Sequence, residues 1–173
     1  MLTLFVVGLL AGGLLSGLVL GLLSGLAQPL PAAWRYPAIV ALALLGLLRD
    51  TGMVRIPVPQ NARQVPQEVL RRDLRRGALQ FGFELGTGVR TYVSASAPYV
   101  LALAVLLGGQ PLWVAALAGA GFGSGRAVTP LIRLASGATE GWDTDLRTWL
   151  RTIAVLSCAT AAATFGLLLL PQW

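Results

Sequence analysis

Apolar residues in this chain come in long runs rather than at one face of a helical period. Residues 2–26 are apolar all the way round, as in a helix solvated by lipid rather than packed on a core by one stripe. About 20 such residues cross a bilayer core. Four further runs follow, so the pattern predicts five spans, over about 2–26, 33–48, 78–109, 111–134 and 150–170. Gln28–Pro31 reads as a proline-bounded turn and Gly109-Gln110-Pro111 as a tight one, making a hairpin of spans three and four. Residues 49–77 form the only long polar connection. The expected fold is an all-α, polytopic integral membrane protein, a single transmembrane domain over 1–173.

The polar interruptions within these runs carry the candidate chemistry. Span three holds Gly82, Gly86 and Gly88, then Glu84, Arg90, Thr91, Tyr92, Ser94, Ser96 and Pro98. Span four holds Gly119, Gly121, Gly123 and Gly125, then Arg126 and Pro130. Proline removes a backbone hydrogen bond, so both spans are expected to be helices broken at Gly/Pro. Broken helices lie near the binding sites of transporters. Folding the hairpin at 109–110 puts Arg90 and Arg126 within about one turn in depth, with Glu84 about 10 Å further toward the other end. Two readings stay open. The charges pair within the bundle, or Arg90 and Arg126 converge with Thr91, Tyr92, Ser94 and Ser96 on a pocket for an anion. In span one, Gly13, Gly17, Gly21 and Gly25 form a ladder at four-residue spacing, preceded by Gly8 and Gly12, which predicts close helix packing.

Charge sets the orientation. With five spans, Arg49, Arg55, Arg63, Arg71, Arg72, Arg75, Arg76, Arg133, Arg147 and Arg151 share one face and only Arg35 lies on the other. The positive-inside rule makes the first face cytoplasmic, with the N-terminus inside, the C-terminus outside, and the inner (plasma) membrane as location. Ile56-Pro57-Val58-Pro59 is expected to be extended, and the segment from Pro66 helical. There Arg71, Arg72, Arg75 and Arg76 are candidate contacts for anionic headgroups.

Composition agrees with the pattern. The chain has 173 residues, 55% hydrophobic and 12% charged, with 21 glycines. Its mean hydropathy is +0.73. A soluble core of this size could not bury so much apolar surface. The basic excess would suggest nucleic acid in a soluble protein, but flanking membrane spans it serves topology, and no nucleic-acid partner is expected. The first span lacks a basic n-region and is too long for a signal peptide, so it is expected to be retained. Cys158 stands alone and reads as a small buried residue.

Catalysis is not expected. The chain has no histidine to act as a base and no serine in a nucleophile-elbow setting. Glu140, Asp143 and Asp145 lie between Trp142 and Trp149, which reads as an interfacial belt with a helix start at Thr144 or Asp145 rather than a metal site. No metal or cofactor is called for.

The stretches FELGTGVRTYVSASAPYVLALAVLLGG and GFGSGRAVTPLI resemble the transmembrane thiol-transfer proteins of the DsbD/CcdA type, in the superfamily that also holds LysE-like exporters. The resemblance rests on a glycine-rich span leading into a proline-centred helix, twice over. It implies a broken-helix core around residues 88–98 facing one around 123–130. The family's Pro-Cys pair would fall near Thr91-Tyr92, where this chain has no thiol, so electron transfer through cysteines is not carried over.

The expected function is transport or passage of a small anionic solute, with Arg90 and Arg126 as contacts and Glu84 as gating or proton-coupling partner. The alternatives are a non-catalytic subunit or scaffold with internally paired charges, and a lipid-handling protein using the basic loop. Expected partners are the bilayer, its anionic headgroups, and a second copy or a larger membrane complex.

Overall fold

The computed structural model describes residues 1–57, 74–88, 95–137 and 142–167. They form six α-helices and, among the described residues, no strand: α1 (Leu2–Leu23), α2 (Ala32–Asp50), α3 (Leu74–Thr87), α4 (Ala97–Gly108), α5 (Leu112–Ser136) and α6 (Trp142–Leu167). A 3-10 turn at Ser24–Ala27 continues α1.

Among the described residues, three helical stretches are long and apolar enough to cross a membrane: Leu2–Ala27, Ala32–Asp50 and Leu146–Leu167. α4 is apolar but has only 12 residues. α5 has 25 residues, about 37 Å of helix, and carries Arg126 and Arg133. Residues 78–109, expected as one span, are described as most of α3 and all of α4, with 89–94 outside the described residues. In α5 the expected break does not interrupt the helix, which runs straight through Pro130 from Leu112 to Ser136. The proline ring leaves only the carbonyl one turn back without its helical partner, and the flanking turns keep theirs. α6 starts at Trp142, earlier than expected, so the Trp142–Trp149 segment is its first two turns.

Helix ends follow local chemistry. Pro31 and Pro111 stand at the N-caps of α2 and α5, where a missing N–H costs nothing. α2 stops in a Schellman motif: Gly52 has φ +80°, its N–H bonds Arg49 O at 2.9 Å, and Met53 N–H bonds Leu48 O at 3.0 Å. Gly109 and Gly137 end α4 and α5 in the same left-handed conformation.

Burial is inverted relative to a soluble protein. Among the described residues, Leu9, Ile39, Val100 and Cys158 are buried almost completely, and the rest of the buried set is mainly Gly and Ala. Leu22, Leu117, Leu134 and Leu156 are all more than half exposed. Small residues at helix contacts with leucines outward is the arrangement that lipid, not water, solvates. Trp34 and Trp113 are exposed in the first turns of α2 and α5, and Trp149 two turns into α6, positions compatible with an interfacial belt.

The described helices form two compact units that alternate along the chain. The first gathers α1 (to Leu22), α3 and α5; the second gathers the 3-10 turn, α2, α4 and α6.

In the first unit, α1 presents two glycine faces. A Cβ on Gly8 or Gly12 would run into the α3 backbone at Leu79 and Phe83, and one on Gly82 or Gly86 into the α1 backbone at Phe5 and Leu9. Gly13 and Gly17 stand in the same way against Ala115, Gly119 and Gly123 of α5. Of the ladder read from sequence, Gly21 meets mainly the side chains of Ala115 and Leu112 in α5, and Gly25 meets nothing within 4 Å. Phe5 and Phe81 stack at 5.7 Å, and the Ser16 hydroxyl donates to Thr87 O at 3.1 Å.

In the second unit, Ala43, Val100 and Cys158 form the core, with Leu47, Ala97, Ala161, Ala162 and Phe165 packed on it. Gly46 lets α2 approach there, because a Cβ would lie 3.0–3.2 Å from Ser96, Cys158 and Val100 side chains.

Candidate functional site

α4 is too short to span a membrane, and both its ends are served by side chains of α2. At its N-terminus, the Asp50 carboxylate accepts from the Ser96 backbone N–H at 2.8 Å and from the Ser96 hydroxyl at 2.7 Å. At its C-terminus, Arg35 Nη1 donates to Leu107 O at 3.3 Å and lies against Gly109. An anion at the positive end of a helix and a cation at the negative end both complement its dipole. These contacts also satisfy groups that a helix terminus leaves orphaned. They fix α4 antiparallel to α2.

Arg49 completes the Asp50 end. Its Nη1 donates to Asp50 Oδ1 at 2.9 Å and to the Ser96 hydroxyl at 3.1 Å, and its Nε to Ile56 O at 2.9 Å. The Asp50 side chain is only 2% exposed and that of Arg49 18%. From α6, Arg151 Nη2 donates to Thr51 O, so α2, α4 and α6 are tied together at one end of the unit. Beside this network opens a cleft of about 810 Å³. Arg49, Asp50, Arg55 and Arg151 line it together with apolar Val54 and Leu150.

The first unit holds Arg126 and Glu84, the two residues of the expected anion site that are described. Arg126 is half-buried near the middle of α5, with its guanidinium carbon 5.5 Å from the centre of the Phe122 ring one turn earlier. The edge of that ring faces Gly88, whose φ of +71° ends α3. Glu84 lies in the last turn of α3, its Oε1 accepting from Gln80 at 3.0 Å and its Oε2 buried. Thr87 ties that turn down by donating to Glu84 O at 2.8 Å.

Arg90, Thr91, Tyr92 and Ser94, and the surface candidates Arg71 and Arg72, lie outside the described residues. Arg75 and Arg76 are exposed in the first turn of α3. Ser96, expected with Arg90 and Arg126 at the anion pocket, has its hydroxyl engaged by Asp50 and Arg49 as part of the α4 cap. Among the described residues no group of three or more His, Cys, Asp or Glu could hold a metal.

Sequence reasoning counted Arg35 and Arg49 as topology markers and gave Asp50 no role. One signal was there. Ser96-Ala97-Pro98 is a helix start of the Ser-x-Pro kind, and an acid at the end of the neighbouring span is the natural companion for its free N–H groups.

Comparison of the chain with protein families, with curated proteins and with solved structures gave no match. The class therefore rests on the molecule itself: among the described residues it is all-helical, with three helices long and apolar enough to cross a membrane.

Proposed function

We propose that this is a five-span membrane protein that passes a small anionic solute, with Arg126 as an anion contact and Glu84 as its gating or proton-coupling partner. Arg126 carries the reading, as a guanidinium half-buried near the middle of a 25-residue helix. A cation at membrane depth is costly and faces a cavity, a ligand or a partner rather than lipid. Its fork fits a carboxylate, phosphate or sulfur oxyanion. Arg90, Thr91, Tyr92 and Ser94 complete the contact set in this reading.

The five spans are α1, α2, α3 with α4, α5 and α6, in the inner membrane with the N-terminus cytoplasmic and the C-terminus outside. Within the second unit, Arg49 and Arg151 gather at one end and Arg35 lies at the other, in keeping with that orientation.

Uptake of radiolabelled phosphate, sulfate and a small carboxylate into proteoliposomes tests the proposal. Arg126→Gln should lower flux of the transported anion by about tenfold or more, the worth of a charge-assisted contact. The unfolding transition should stay that of a folded protein. Flux for none of the three anions, or equal flux in the variant, would sink it.

A second reading, a scaffold subunit, has its own support. Glu84 is served by Gln80 and Arg126 by Phe122, each from its own helix, and glycine contacts bring the backbones of the first unit together. On that reading Arg126→Gln impairs assembly instead of flux.

A further inference from the structure

We propose that the cleft at the end of α2 and α6 is a binding site for the phosphate of an anionic lipid headgroup. The cleft is lined by three arginines, Arg49, Arg55 and Arg151, and a single acid, Asp50. That acid is spent: its carboxylate is nearly inaccessible and accepts from Ser96 twice and from Arg49 once. The charge the cleft offers a ligand is therefore positive.

The two outer arginines are placed differently. Arg151 is held by Thr51 O, which uses one of its five N–H donors and orients the rest. Gly52 makes room for it, since a Cβ there would lie 3.0 Å from its Nη2. Arg55 is exposed and has no hydrogen bond among the described residues, so it can close on an anion. Two guanidinium forks at one opening are the usual means of holding a phosphate.

Size and position select a lipid over free phosphate. The volume of about 810 Å³ far exceeds a bare phosphate ion and lies within the ~300–1,000 Å³ range of small-molecule sites. Leu150 and Ala154 on α6, with Val54 and Ile56 after α2, give the cleft an apolar wall for glycerol and the first acyl carbons. Arg151 lies in the candidate span Leu146–Leu167, and Arg49 and Asp50 end the candidate span Ala32–Asp50. The cleft thus lies where hydrocarbon gives way to headgroups. It uses neither Arg126 nor Glu84, so it stands apart from the transport proposal.

The test is native mass spectrometry of the full chain, delipidated in detergent and titrated with phosphatidylglycerol, phosphatidylcholine or inorganic phosphate. The expected result is one tightly retained phosphatidylglycerol, with phosphatidylcholine at least about tenfold weaker and no displacement by inorganic phosphate at equal concentration. Arg55→Gln with Arg151→Gln should weaken phosphatidylglycerol by about tenfold or more. Arg55→Gln alone, which breaks no described hydrogen bond, should weaken it several-fold and keep the parent unfolding midpoint. Arg147→Gln, outside the cleft on the same helix, should change nothing. Wild-type affinity in both cleft variants, an equal loss in Arg147→Gln, or displacement by inorganic phosphate would each overturn the proposal.

Discussion

Asp50 ends a helix long and apolar enough to cross a membrane, and a nearly inaccessible carboxylate there must be paired to be tolerated. Removing one partner of a buried charge pair strands the other, at about 3–5 kcal/mol. Asp50→Ala leaves Arg49 without its carboxylate and the Ser96 N–H without its acceptor. The expected loss is about 3 kcal/mol, read from reversible unfolding in detergent. Asp50→Asn keeps an acceptor for Ser96 and should lose less. Cys158 makes a second prediction at this scale. It is fully buried, and its thiol donates to Ala43 O at 3.5 Å. A maleimide should fail to label it in the native protein and label it fully after unfolding in dodecyl sulfate. Rapid native labelling would show that the core around Ala43 and Val100 is open.

At the scale of helices, glycines fall into two groups that sequence spacing does not separate. Gly12, Gly82 and Gly119 face backbone across a contact, and backbone cannot move aside as the end of a side chain can. Gly12→Val or Gly82→Val should destabilise by about 1–3 kcal/mol or more through overpacking. Gly121 and Gly125 face open space, and alanine there should be neutral or stabilising by up to about 1 kcal/mol from helix propensity. Thermal unfolding of the single variants separates the groups, and equal effects at Gly82 and Gly121 would contradict the packing. The α4 cap belongs here too. Arg35→Gln removes the cation from the negative end of α4, with an expected cost of about 1 kcal/mol.

For the molecule as a whole, the proposed topology makes a directional prediction. In a Cys158→Ala background, Met53→Cys should label from the cytoplasmic side. Gln28→Cys and Gln110→Cys should label from the opposite side, because each lies in a turn at the far ends of the spans. Labelling of all three from one face would remove the five-span arrangement.

The apolar runs by themselves marked the chain as helical, with helices apolar and long enough to suit lipid, because a soluble core of this size could not cover them. They also placed helix ends closely where Pro31, Gly109 and Pro111 punctuate the chain, since those residues act through local backbone geometry. Partnership was not legible. A glycine every fourth residue says that some backbone comes close, not whose, and Gly8 and Gly12 face α3 while Gly13 and Gly17 face α5. Arg49, Asp50 and Ser96 are separated by up to 47 residues, and Arg35 and Leu107 by 72. Only packing brings such groups within hydrogen-bond range. The alternation of helices between two units, the matched caps of α4 and the arginine cleft were therefore decided by tertiary structure, because each depends on contacts between distant segments that no local pattern encodes.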